Sequence, residues 1–368
     1  QEVLSRNRRQ DRGPIDTQIG AIRVNDAEGK AMAIVANFAA HPTAVPSEDR
    51  FAYSADYPGV FYNELEGMFD EGCVALFLNG AEGNQTCDTP EKVDGWKRIE
   101  SVGSLLAIRV KELTDEIPCG DAKLRVAHAT PELPPTLGAS LLPRTTVLHT
   151  LEIDDLLLTF FPGEPCVEIG LEVRRRALER GYAAQFSVAL SSDYVGYFVP
   201  QEFYSHLHYE SAMNFYGPRI AEWFYAQFGK LMSREGPPEA PKEEPPAPEV
   251  GEAAGARKVV LAGSPYAIGF ARGQVFGEEI RKVWLEKVLA PVADRRAVPT
   301  EEGLWRYAPS FVDLTPFALP RLGIGARPLL GGLSEDAFRE LEGMADGAGL
   351  PFDALWLTQC APALAETE

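Results

Sequence analysis

Residues 33–59 read AIVANFAAHPTAVPSEDRFAYSADYPG, and the fold turns on how this stretch is taken. From residue 31 to residue 40 the chain is apolar apart from Asn37, the pattern of a strand buried on both faces. The run stops at His41 and Pro42, and proline cannot continue a central strand. An imidazole at the end of a buried strand is where an α/β protein commonly places a site residue. The same pattern also suits a core histidine held by backbone groups. Ser54, Asp56, Pro58 and Gly59 follow, all turn formers or hydrogen-bonding groups.

Working outward, residues 19–24 alternate as a short strand, and Asp26 and Gly29 mark a turn that joins it to 31–40 as a hairpin. Residues 57–69 carry Val60, Phe61, Leu65 and Met68 on one helical face. A second apolar strand is expected at 73–78, running into Asn79-Gly80-Ala81-Glu82-Gly83-Asn84, a glycine-bearing loop suited to offering backbone amides to a ligand. It lacks the Gly-Lys-Ser/Thr ending of a phosphate loop. A helix at 96–113, strands at 123–129, 144–153 and 156–161, a helix at 166–180, a strand at 183–190 and a helix at 218–232 complete the first part. The run 156–161 breaks at Pro162-Gly163-Glu164-Pro165, so a carboxylate stands at a strand end as His41 does.

Residues 235–252 hold six prolines and six acids against one lysine. That composition cannot bury a core and predicts an extended linker. Beyond it a strand at 258–261 leads into a helix from 263 to about 289. Gly269 and Gly273 lie four apart, and since each costs about 1 kcal/mol relative to alanine inside a helix, close packing against another element is expected. A further helix at 334–347, capped by Ser334 and ended by Gly347-Ala348-Gly349, precedes a third from 351. The predicted organisation is a first domain at 1–234, a linker at 235–257 and a mainly helical partial domain at 258–368.

The formal net charge of −19 argues against nucleic acid and anionic membrane partners, and no apolar run reaches the ~20 residues of a membrane span. Five scattered cysteines without a Cys-x-x-Cys pair give neither a disulfide framework nor a cysteine zinc site. The chain opens on Gln1 with no visible signal peptide and reads as truncated at both ends, so the compartment, secreted and periplasmic included, stays open.

Candidate metal ligands are His41, Glu164 and Tyr197, each at the end of an apolar strand. Histidine nitrogen and carboxylate oxygen suit catalytic zinc, which keeps a position for water. No His-Glu-x-x-His motif is present, and no Gly-x-Ser-x-Gly elbow supports a serine hydrolase. His206 and His208 lie in a tyrosine-rich polar stretch and are expected to face solvent or substrate.

Taken together the motifs of residues 1–232 resemble the neutral, non-lysosomal ceramidases, zinc-dependent N-acylsphingosine amidohydrolases. The pieces are Asn7-Arg8; Asn37-Phe38-Ala39-Ala40-His41-Pro42-Thr43 with Ser54-Ala55-Asp56-Tyr57-Pro58-Gly59; Leu78-Asn79-Gly80-Ala81-Glu82-Gly83-Asn84; Pro162-Gly163-Glu164; Tyr194-Val195-Gly196-Tyr197; and Tyr209-Glu210-Ser211-Ala212 with Tyr216-Gly217-Pro218. The resemblance implies an α/β, mixed-sheet zinc amidohydrolase-like domain acting on a small N-acyl, sphingolipid-type substrate. It implies His41, Glu164 and Tyr197 as zinc ligands, Arg8 facing the substrate amide, and Thr86 at the family's catalytic serine position. Two departures stand out. The family's first zinc histidine, in a Thr-His-Thr-His-Ser-Gly-type segment, has no match and would precede Gln1. The Gly-Asp-x-Ser-Pro loop reads Gly83-Asn84-Gln85-Thr86-Cys87, which bears on ceramide specificity.

Gly263-Ser264-Pro265-Tyr266-Ala267-Ile268-Gly269 with Leu341-Glu342-Gly343-Met344-Ala345-Asp346-Gly347-Ala348-Gly349 resembles the start of the isopenicillin-N acyltransferase-like N-terminal-nucleophile hydrolases. Their nucleophilic cysteine would lie beyond Glu368; Cys360 falls too early in the pattern. The expectation is therefore zinc-dependent amide hydrolysis. A non-catalytic binding module of the same fold and a cysteine acyltransferase activity in the second part are the alternatives.

Overall fold

The computed structural model describes residues 4–10, 13–89, 91–137, 142–206, 208–237, 245–253, 256–290 and 323–365. The chain forms two compact units. The first comprises Gln1–Pro131, Thr146–Pro200 and Ala221–Pro238; the second comprises Glu132–Thr145, Gln201–Ile220 and Glu239–Glu368.

In the first unit, β1 (Ser5–Asn7) is followed by the hairpin β2 (Ile19–Asn25) and β3 (Ala31–Phe38). The Asp26 carboxylate accepts from the amides of Glu28 and Lys30 and closes the turn, and Gly29 takes a left-handed φ of 86°. Helix α1 (Asp56–Gly67) crosses over to β4 (Val74–Asn79), which lies parallel to β3. Short β5 (Gln85–Cys87) and α2 (Trp96–Glu116) follow. A second sheet, in the order β10-β8-β7-β6, is built from β6 (Leu124–Ala129), β7 (Leu148–Ile153), β8 (Leu156–Phe160) and β10 (Ala184–Val188). Strand β10 is parallel to β8 through α3 (Val167–Glu179). Two-residue strands β9 (Glu164–Pro165) and β11 (Tyr197–Phe198) complete the site region.

Helices α1 and α2 cover one face of the first sheet, where Ile34, Phe38, Tyr57, Phe61, Leu65, Val102 and Leu106 form the core. Asn37, the one polar residue of the β3 run, ties the sheets together. Its amide donates to the Leu78 carbonyl at 3.0 Å and the Ser187 carbonyl at 2.8 Å. The Ala189 amide donates to Asn79 O, and the Gly80 amide to Phe38 O. The carboxyl ends of parallel strands β3, β4, β8 and β10 therefore gather in one place, where α/β folds commonly bind ligands.

The strands differ from expectation in burial. Met32 is 53% exposed in β3, and Val74 and Leu76 are 49% and 47% exposed in β4. Only one face of this half of the sheet is covered by helices, so the expected burial of both faces holds only from Ala36 onward.

The second unit contains α4 (Tyr209–Ala212), the hairpin β12 (Glu249–Ala253) with β13 (Ala256–Val260), α6 (Pro265–Val283), α7 (Glu335–Ala348) and α8 (Phe352–Ala365). Helix α5 (Ile220–Leu231) closes the first unit. Residues 238–244 and 254–255 of the expected linker lie outside the described residues. Its last part is strand rather than irregular, because the prolines end at Pro248 and the amides beyond are free to form a ladder. Helices α6 and α7 press glycines together. A Cβ on Gly269 would sit 1.8 Å from Glu340 O, and one on Gly343 would sit 2.0 Å from Tyr266 O. That close approach explains the glycine spacing.

Candidate metal centre

The site is carried by four strands too short to show a sequence period. β1 pairs antiparallel with β5, and β9 pairs parallel with β11 so that Glu164 stands opposite Tyr197. His41 forms a main-chain bridge to Thr86, and its amide donates to Gln85 O at 3.1 Å. His41, Glu164 and Tyr197, spread over more than 150 positions, are thereby brought together.

His41 Nδ1 lies 2.7 Å from Glu82 O and 3.0 Å from Gln85 O. Both partners are carbonyl acceptors, so Nδ1 carries a hydrogen and Nε2 is the nitrogen that faces the cluster, as an N–H donor to Glu164 or, with a cation between them, through its lone pair. Nε2 lies 2.6 Å from Glu164 Oε2 and 3.1 Å from the Tyr197 hydroxyl. A lone pair does not rest 2.6 Å from a carboxylate oxygen unless a proton or a cation sits between them. A ring nitrogen bound to backbone carbonyl on one side, with the other facing a carboxylate, is the usual arrangement of a metal-binding histidine.

The Glu164 carboxylate is buried and fully engaged. Oε1 accepts from the Tyr194 hydroxyl at 2.7 Å, and Tyr197 donates as well. Burial pushes this carboxyl up, but the hydrogen bonds from His41, Tyr197 and Tyr194 outweigh it and hold it below the usual carboxylate range. Burial, and next the bond and charge of Glu164, raise the Tyr197 phenol well above its ordinary value, while Arg8 works in the opposite sense.

A second buried acid, Glu82, completes the cluster. One ligand atom each of His41, Glu82 and Glu164 lies within 4.8 Å of the others. Glu82 is 0% exposed, and neither carboxylate oxygen has a hydrogen-bond partner among the described residues. Burial raises its carboxyl well above the ordinary range, with the Glu164 charge adding to the effect, while its own amide and Arg8 favour the charged form. The sequence points to the backbone amides of this glycine loop rather than to the Glu82 side chain. Its signal was the one that marked Glu164: an acid among small residues just past an apolar strand.

Arg8 donates to Gly83 O at 2.6 Å and to the Tyr197 hydroxyl, which places an exposed guanidinium at the edge of the cluster. Thr86 is half-buried in β5 opposite Arg6, and no hydrogen bond among the described residues joins its hydroxyl to the cluster. The loop amides expected to meet a ligand are spent internally: Gly80 N donates to Phe38 O, Gly83 N to Pro165 O and Gln85 N to Glu82 O. Gly83 has no room for a Cβ, which would fall 2.7 Å from Glu164 O. This glycine lets the Glu82 loop lie against the Glu164 strand.

The surrounding residues hold the geometry. Asp56, at φ 52°, accepts from the amides of Ala44 at 2.8 Å and Val45 at 3.1 Å and so fixes the loop after His41. The Tyr57 hydroxyl donates to Ala40 O at 2.6 Å. Asn84, buried where the resemblance leads one to expect aspartate, accepts from Val167 N at 2.8 Å at the start of α3 and donates to Glu168 at 2.9 Å. An aspartate there would face Glu168 with like charge. His206 and His208 belong to the second unit, with rings 5.9 Å apart. Cys360 is buried and its thiol raised by burial, the opposite of an activated nucleophile.

No family model and no curated protein matches the chain. Solved structures do. A ceramidase complexed with C2 matches with a TM-score of 0.52 at 15% identity, over 71% of this chain and 56% of that one. Neutral ceramidase from Pseudomonas aeruginosa matches with a TM-score of 0.51 at 16% identity, over 72% of this chain and 55% of that one. The chain thus spans little more than half the length of the structures it matches. At this identity the likeness establishes a mixed α/β, ceramidase-like fold. These comparisons lend nothing to an N-terminal-nucleophile hydrolase in the second part. Among the described residues no helix is long and apolar enough to cross a membrane.

Proposed function

We propose that this chain contributes the centre of a zinc-dependent amidohydrolase that cleaves the amide of an N-acylated, ceramide-like small molecule. One observation carries the reading: the imidazole with Nδ1 committed to two carbonyls, and Nε2 at 2.6 Å from Glu164 and 3.1 Å from Tyr197. The donor set fits a divalent cation, since a lone pair, a carboxylate and a phenol converge at buried positions. His41, Glu164 and Tyr197 would hold it. When bound, the metal acidifies a water and polarises a carbonyl.

The chain's own groups do the rest. Arg8, at the rim, donates to the carbonyl oxygen as negative charge develops there. The water oxygen forms the new C–O bond, the C–N bond breaks, and a proton passes to the leaving amine nitrogen. Tyr194, half exposed and bonded to Glu164, is the phenol placed to relay that proton.

The test is zinc content and turnover of an N-acylsphingosine by the full-length protein. Chelation should abolish hydrolysis and zinc should restore it; amidase activity that survives chelation sinks the reading. One feature favours a binding module without turnover, namely the Thr86 hydroxyl standing apart from the cluster. Ligand binding in wild type and in His41→Ala with no hydrolysis by either would select it.

A further inference from the structure

Glu82 is not among the three residues that would hold the metal, although it is a buried acid beside them with no hydrogen bond to either oxygen. Its side chain is 0% exposed and both oxygens lack hydrogen-bond partners among the described residues. It reaches within 4.8 Å of the ligand atoms of His41 and Glu164. A buried carboxylate without a partner is costly, and structures resolve such a group by pairing it with a cation or by protonating it. Arg8 favours the charged form of Glu82 through space but makes no hydrogen bond to its oxygens, and its guanidinium donates to Gly83 O and the Tyr197 hydroxyl.

The backbone around Glu82 is built for the encounter. Its own carbonyl accepts from His41 Nδ1, so the residue that sets the imidazole tautomer also carries the orphan acid. Gly83 then lets the main chain pass against Glu164, where a Cβ would fall 2.7 Å from the Glu164 carbonyl.

We propose that Glu82 is a direct ligand of the divalent cation, so that this chain supplies one imidazole, two carboxylates and a phenol to a single metal. The inference rests on the reading of the site as a metal centre and adds to it a ligand from the Gly80–Gly83 loop. Two carboxylates balance the charge of a divalent ion. A donor set this rich in oxygen also binds manganese(II) more readily than a histidine-rich site does.

The experiment is titration of metal-stripped, full-length protein with zinc and with manganese(II), followed by calorimetry and by the thermal shift each ion induces. Wild type, Glu82→Gln and His41→Ala are compared. The expected result is a zinc affinity at least ~10-fold weaker in Glu82→Gln, a smaller zinc-induced shift, and an apo melting temperature close to wild type, because the buried side chain it replaces makes no hydrogen bonds. If Glu82→Gln binds zinc like wild type while His41→Ala does not, the metal centre stands and Glu82 is no ligand. If wild type binds neither ion, the metal reading itself falls and takes this inference with it. Should Glu82→Gln fail to fold, Glu82→Asp decides the question. It keeps the charge but withdraws the oxygens by one methylene. Its zinc affinity drops several-fold if Glu82 ligates and is unchanged if it does not.

Discussion

Each unit buries a cluster of ionisable groups, and the two clusters are balanced differently. In the second unit Arg327, 2% exposed, donates to Ser211 O, Asn214 O and Asp353, and its guanidinium lies 3.9 Å from the Tyr204 ring centroid. The Tyr204 hydroxyl donates to the same Asp353 at 2.7 Å. One cation meets one anion there, and two backbone carbonyls accept from the same guanidinium. In the first unit two carboxylates face one imidazole, and Glu82 is left with two orphan oxygens. The first arrangement is a charge-matched ion pair that holds helices and loops together. The second keeps Arg8 at its rim and leaves a buried acid without a hydrogen bond beside an imidazole and another carboxylate, as a site made for a cation would. Perturbed, buried ionisable groups occur in both settings, and it is the acid without a hydrogen bond, Glu82 against a fully engaged Asp353, that separates them.

The sharpest way to break that contrast is His41→Ala. Loss of a metal ligand should lower amidase activity by more than about a hundredfold and remove zinc from the purified protein. Turnover assays and elemental analysis check this, and a zinc-replete, active variant would erase the distinction between the clusters. Arg327→Met should behave oppositely. It strands Asp353 and costs about 3–5 kcal/mol of stability by chemical denaturation, while zinc affinity measured well below the transition is unchanged. Gly343→Ala should come next, at about 1–3 kcal/mol, because its methyl would meet Tyr266 O at 2.0 Å and force α6 from α7.

The smallest effect concerns pH. Burial raises the Glu342 carboxyl to about 7, with Arg219 and Arg339 opposing the shift. An acid whose folded value lies above its unfolded one disfavours the native state once the unfolded chain has ionised. Stability of the second unit should therefore fall between about pH 4.5 and 7 and level off above. Glu342→Gln should flatten that slope, on the order of 1–2 kcal/mol across the window. Denaturation curves at pH 5 and 7.5 decide it.

Much of the scaffold was legible in the chain. The run ending at His41, the run ending before Pro162-Gly163-Glu164 and the alternation at 19–24 each carry a period or a hard stop, and each became a strand. Ser334 caps α7, accepting from Ala337 N, and Gly349 ends it at φ 66°. What did not show were β1, β5, β9 and β11, because two or three residues are too few for any periodicity. The site rides on those strands. The exposure of Met32, Val74 and Leu76 was hidden as well, since an apolar run does not say whether a second layer covers it.

The sequence by itself determined where the chain turns, which residues are apolar enough to be buried, and that His41 and Glu164 stand at strand ends beside proline. Those are local properties, set by side-chain chemistry and backbone propensity. Only the tertiary structure decided that His41, Glu82, Glu164 and Tyr197 share one buried space. Their meeting depends on strand register and on the close passage of Gly83 against β9, and contacts between distant positions leave no trace in the spacing of residues along the chain.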